Sequence, residues 1–107
     1  LRAREAVPET GGAWAELQSP GSPLRLELNW YPEGSKHFAG PYRNGNELDH
    51  LAFNCEDASA AYRALVAKGV KPAHPPFEEA ESLLAFVQDP DGIWIELSSL
   101  KPGASLP

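Results

Sequence analysis

A chain of 107 residues is one domain's worth of sequence, enough for a single small core and too short for two independent ones. Nine basic residues stand against 15 acidic ones, and the net charge of −6 is the wrong sign for a nucleic-acid surface or an anionic membrane. No apolar run approaches the roughly 20 residues that span a bilayer, so neither nucleic acid nor membrane is an expected partner. The single cysteine, Cys55, excludes an intrachain disulfide and fits a reducing compartment, which predicts a cytoplasmic protein. Within Phe53-Asn54-Cys55-Glu56 no base is adjacent, and the thiol reads as a small hydrophobe, not a nucleophile.

The chain contains no methionine and opens directly on strand-like residues 1–7, which predicts that residues before Leu1 are missing. Pro8 and Gly11-Gly12 end that strand, and residues 13–18 form a second. Ser19-Pro20-Gly21-Ser22-Pro23 is a loop no helix crosses. Residues 24–30 then alternate cleanly, with Leu24, Leu26 and Leu28 facing one way and Arg25, Glu27 and Asn29 the other. Three strands joined by turns make an antiparallel meander. Residues 31–47 contain Pro32, Gly34, Gly40, Pro41 and Gly45, have no period of either kind, and form a long connection. Tyr31, Lys36, His37, Tyr42 and Arg43 in it either reach over a ligand or scatter along a solvated linker.

Residues 48–54 form a fourth strand, with Leu51 and Phe53 on one side and His50, Ala52 and Asn54 on the other. Asp57 caps a helix whose Ala58, Ala61, Tyr62, Leu65 and Val66 make one apolar face, and Gly69 closes it. Residues 71–77, with three prolines, can form only a short or edge strand. Asp89-Pro90-Asp91-Gly92 is the tightest turn signal in the chain. Pro90 presets the first central position of a type I turn, Asp91 takes the second and Gly92 the left-handed exit. Residues 83–88 lead into that turn and 93–97 lead out, as a hairpin. In its second strand Ile93, Ile95 and Leu97 share a face, leaving Trp94 and Glu96 on the other. A carboxylate there is either solvated or aimed at a cation or proton.

The two halves correspond. Residues 48–100 read βαβββ and residues 1–30 read βββ, with Glu27 in the last strand of the first as Glu96 is in the last strand of the second. The expected organisation is a partial N-terminal module at 1–30, a connection at 31–47, a C-terminal module at 48–100 and a tail at 101–107. A strand and helix before Leu1 would complete the first module.

Leu26-Glu27-Leu28-Asn29-Trp30, Leu48-Asp49-His50-Leu51-Ala52-Phe53, Gly69 and the run from Ala85 through Asp89-Pro90-Asp91-Gly92 to Ile93-Trp94-Ile95-Glu96-Leu97 together resemble glyoxalase I and the wider vicinal oxygen chelate superfamily (glyoxalase, bleomycin resistance, dioxygenase). The resemblance covers residues 24–97. It implies an α+β fold of paired βαβββ modules forming a cup, with a divalent metal held by residues from the first and last strands of each module. By that resemblance Glu27, His50 and Glu96 are metal ligands, and the fourth, a His or Gln in the family, falls before Leu1. The alternation agrees, because each lies on the strand face opposite an apolar stripe. Taken singly, each has a plainer reading as a solvated glutamate or a core histidine. One imidazole and two carboxylates suit Zn or Ni first, and Co or Mn next. His37 and His74 fall in irregular segments, match no ligand of the family, and read as surface residues.

The implied activity is that of a lactoylglutathione-lyase-type enzyme acting on a hemithioacetal of an α-ketoaldehyde, such as a glutathione adduct. A proton moves between adjacent carbons through a metal-stabilised enediolate, and by resemblance Glu96 is the catalytic base. The implied assembly is a homodimer with metal sites shared between chains. Two other classes fit the fold. A ring-cleaving dioxygenase would use two His and one carboxylate with open positions, and Glu27 argues against it. A metal-free drug-binding or resistance protein would not need the three ligand residues.

Overall fold

The computed structural model describes residues 2–37, 40–45 and 48–104. Leu1, Phe38, Ala39, Asn46, Glu47 and residues 105–107 lie outside them, and with them parts of the expected first strand, connection and tail. Length alone predicts a single core, but the chain divides into two compact units, Leu1–Gly40 and Pro41–Pro107. The physical reason lies in the strand pairing: one sheet is built from each unit, and among the described residues no strand of one is hydrogen-bonded into the other.

The first unit is the expected meander. Strands β1 (Ala3–Val7), β2 (Gly12–Leu17) and β3 (Leu26–Trp30) pair antiparallel in the order β1-β2-β3. Glu27 stands opposite Glu16, and Asn29 opposite Trp14. On the other face Leu28 and Trp30 are exposed.

The second unit contains β4 (Leu51–Asn54), α1 (Ala58–Ala67), β5 (Lys71–Glu79), β6 (Ser82–Gln88) and β7 (Trp94–Leu100). Its sheet runs β4-β7-β6-β5, with β4 parallel to β7 and the other pairs antiparallel. This is a βαβββ module, and the fold class is α+β. The helix carries the chain from β4 to β5 at the far edge of the sheet, and the antiparallel run β5-β6-β7 returns to set β7 parallel to β4. Several strands depart from expectation: β3 starts at Leu26 and not at 24, and β7 runs Trp94–Leu100 and not 93–97. β4 starts at Leu51, not at 48, so His50 lies just ahead of it. β5 is longer than its prolines suggest because it occupies the sheet edge, where a missing N–H breaks no ladder, and register shifts between Pro72, His74 and Phe77 absorb the rest.

Local chemistry explains the helix limits. Asp57 Oδ1 accepts from the backbone N–H of Ser59 (3.0 Å) and Ala60 (3.1 Å), filling two of the donors a helix start leaves open. The N–H of Ala58 donates instead to the buried Ser99 Oγ on β7 (2.9 Å), tying helix to sheet. At the other end Gly69 takes φ +95° and donates to the Val66 carbonyl, while Val70 donates to that of Leu65. This is the Schellman pattern, and it needs a residue without Cβ strain at Gly69. Replacing Asp57 with Ala should cost about 0.5–2 kcal/mol in urea unfolding, and replacing it with Asn only a small fraction of that. Equal losses for both would show that the cap is not the source.

The core lies between helix and sheet. Ala58, Val87 and Leu97 are buried, and Ala61, Tyr62, Leu65, Val66, Leu83 and Ile95 pack against them. The predicted helix face is therefore the face used. By alternation, Leu84, Phe86, Trp94 and Glu96 occupy the sheet face away from the helix. The tight turn joins β6 to β7 as expected: Gly92 (φ +84°) donates to the Asp89 carbonyl at 2.9 Å, and Asp89 Oδ1 accepts from Asp91 and Ile93.

Candidate metal and proton-transfer site

Glu96 stands in β7 with Phe86 of β6 on one side and Ala52 of β4 on the other. His50 comes just before β4, and the parallel β4–β7 pairing brings that strand start alongside Glu96, so imidazole and carboxylate meet. His50 Nε2 is 3.4 Å from Glu96 Oε1. Both side chains are partly shielded, at 33% and 20% exposure, a setting in which an ion pair or a bound cation is less screened than on open surface. His50 Nδ1 lies 2.6 Å from Asp49 Oδ2. The Phe86 ring meets the imidazole edge-on, with centroids 5.6 Å apart.

Around this pair the sheet face is aromatic. Phe86 contacts Trp94 (5.5 Å) and stacks on Phe77 (6.3 Å), and Phe77 meets His74 (4.6 Å). His74 is thus part of strand β5, paired with Phe86, and not of an irregular segment. It is exposed, as expected, and its Nδ1 lies 2.7 Å from the Pro75 carbonyl. His37 is also exposed, its ring 5.1 Å from that of Tyr31. Sequence reading placed Trp94 beside Glu96 but missed Phe77 and Phe86. The signal for Phe86 was available, since residues 83–88 alternate in the same way as 93–97.

Glu27 belongs to the first unit. It is exposed, and its Oε2 accepts from Asn29 Nδ2 at 3.0 Å. Glu16 sits directly across the ladder from it, a like-charge pairing that disfavours the sheet. Arg2 Nε (3.2 Å) and Arg25 Nη1 (3.6 Å) both reach Glu16 Oε1 and offset its charge. Among the described residues Glu27, like Glu5 on the same face, has no cation within ion-pair distance.

The donor set fits a divalent ion in part. Donors each about 2.0–2.2 Å from one shared ion stand roughly 3–3.5 Å apart, and the His50–Glu96 separation falls in that range. The structure brings these two together. Among the described residues no group of three or more His, Cys, Asp or Glu side chains converges as a metal cage. Cys55 is no part of the site: it packs against the core, and burial, followed by the charge of Asp57, pushes its thiol up from the ordinary range. That keeps it protonated at neutral pH and supports its reading as a small hydrophobe.

No helix of the described residues is long and apolar enough to cross a membrane. Residues 1–97 match the Glyoxalase/Bleomycin resistance protein/Dioxygenase superfamily. The chain is 34% identical over 80 residues to a lactoylglutathione lyase of Pseudomonas aeruginosa, covering 71% of this chain and 43% of that protein. It is 32% identical over 82 residues to a probable lactoylglutathione lyase of Vibrio cholerae, covering 75% and 54%. Over 99 residues it is 28% identical to glyoxalase I of Saccharomyces cerevisiae, covering 88% and 30%. The chain thus spans about half or less of the length of these relatives. With its βαβββ module, an imidazole at the start of that module's first strand set beside a carboxylate of its last, and a family match running through both units, the chain belongs to the Glyoxalase/Bleomycin resistance protein/Dioxygenase superfamily.

Proposed function

We propose that this chain is part of a glyoxalase I-type lyase that isomerises the hemithioacetal of an α-ketoaldehyde, with glutathione as the thiol. The observation that carries the reading is the pairing of His50 Nε2 with Glu96 Oε1 on the sheet face away from the helix. The likeness to proteins named lactoylglutathione lyase and glyoxalase I supports the substrate class. Glu27, His50 and Glu96 would hold the metal, with Zn or Ni preferred by this N/O set. When bound, the ion would draw charge from the two adjacent oxygens of the substrate.

The protein's own part is binding and proton movement. Glu96 is the base: its carboxylate takes the proton from one carbon and returns it to the neighbouring one, a transfer that only a group fixed within hydrogen-bond reach can perform. The β-ladders on both sides of Glu96 fix its backbone. Phe77, Phe86 and Trp94 offer an apolar floor that excludes water around the reacting carbons. The protein works as a homodimer whose sites each draw on both chains.

Two measurements test this. Metal analysis of purified protein should find a divalent ion, and its removal by chelation should lower the melting temperature, since a ligand at a hundredfold its Kd adds about 2.7 kcal/mol to the folded state. Hemithioacetal conversion should follow metal content. A second reading, a metal-free apolar-ligand binder of the same superfamily, is favoured by the aromatic face. Protein that carries no metal, converts no hemithioacetal and binds apolar ligands would establish that reading instead.

A further inference from the structure

Within the second unit, the residues that end the connection are held at one point. Tyr42 Oη and Asn44 Nδ2 both donate to the backbone carbonyl of Asp49, the latter at 2.7 Å, and Asn44 Nδ2 also lies 3.3 Å from Tyr42 Oη. Asp49 is thereby anchored through its main chain and not through its carboxylate. That carboxylate turns to the next residue, with Oδ2 2.6 Å from His50 Nδ1.

On a regular strand this contact would not form, because neighbouring side chains point to opposite faces. It exists because β4 begins only at Leu51, leaving Asp49 and His50 free of the pleat. The two ring nitrogens then stand in unequal surroundings. Nδ1 is at a charge-assisted hydrogen-bond distance from Asp49, whereas Nε2 is 3.4 Å from Glu96 Oε1. A neutral imidazole has one proton to place, and the shorter contact takes it. The Phe86 ring packs nearly perpendicular to the imidazole and opposes its rotation.

We propose that Asp49 is a positioning residue for His50: it accepts the Nδ1 proton, which fixes the ring's tautomer and aims the Nε2 lone pair at the space beside Glu96, while Tyr42 and Asn44 hold the Asp49 backbone in place. The role of His50 as a metal donor rests on the reading above; the setting of its tautomer does not. A carboxylate behind a ligating histidine raises its basicity and orients it, and losing such a partner typically costs 10–100-fold in metal affinity.

The test uses the 107-residue chain, without added metal and with Zn²⁺ alone. Imidazole ¹⁵N shifts, read where the ring is neutral, should show His50 with Nδ1 protonated and Nε2 bare. In Asp49→Asn and Asp49→Ala the population should move toward the Nε2-protonated form, with Ala moving further. Zn²⁺ affinity by titration calorimetry should fall about 10–100-fold in both, and Asp49→Glu should recover part of it. Tyr42→Phe should give a smaller change in the same direction. Asp49 is more than half exposed, so these variants should fold. An unchanged tautomer in Asp49→Ala would overturn the proposal, as would unchanged Zn²⁺ affinity in Asp49→Ala if His50→Ala loses it. Should the unmodified chain bind no Zn²⁺ while the tautomer still shifts, the positioning role stands and the metal reading falls.

Discussion

Under the proposed lyase activity, metal-loaded Glu96→Gln protein is expected to convert a hemithioacetal about 10²–10⁴ times more slowly than the unmodified protein. The substitution keeps an oxygen donor, the side-chain length and the β7 ladder contacts to Phe86 and Ala52, but replaces one carboxylate oxygen by NH2 and removes the charge, so the side chain no longer accepts the substrate proton. Loss of metal and loss of the base are therefore separable, provided the variant's metal content is measured alongside turnover. A fall in kcat with KM unchanged is the signature of a group acting in the transition state. Full turnover with metal in place would remove Glu96 from the proton path. Loss of turnover that tracks metal content alone would reduce it to a ligand.

Mixing two inactive proteins should restore function. Glu27 and His50 lie in different units of the chain, and a site shared between subunits takes Glu27 from one chain with His50 and Glu96 from the other. In a heterodimer of a Glu27→Ala chain and a His50→Ala chain, one site then carries both lesions and the other carries all its ligands. Random exchange makes about half of the dimers heterodimers, each with one intact site, so activity and metal content should return to roughly a quarter of the unmodified level. A mixture that stays inactive despite demonstrated subunit exchange would exclude sharing and leave each chain to build its own site. The long connection makes sharing sterically reasonable, since residues 31–47 separate β3 from the segment leading into β4.

Much of this protein was legible in its residues. The βαβββ order of the second unit follows from the Asp57 cap, the Gly69 stop, the 3.6-residue spacing from Ala58 to Val66, and the turn at Asp89-Pro90-Asp91-Gly92, all local signals whose partners lie within a few residues. Period-2 alternation was enough to put Glu96 and Trp94 on one face, because the pleat admits no other arrangement. What required the tertiary structure depends on partners distant in sequence. The strand length of β5 could not be read from its prolines, since their tolerance rests on its place at the sheet edge. That His50 meets Glu96, 46 positions further along the chain, depends on β4 lying parallel to β7, a pairing reached only once the β5-β6-β7 meander has formed. Asp49 carried no signal at all, because an unbroken strand would have pointed it away from His50. Only the late start of β4, where the ladder with β7 runs out, lets that carboxylate turn onto the imidazole.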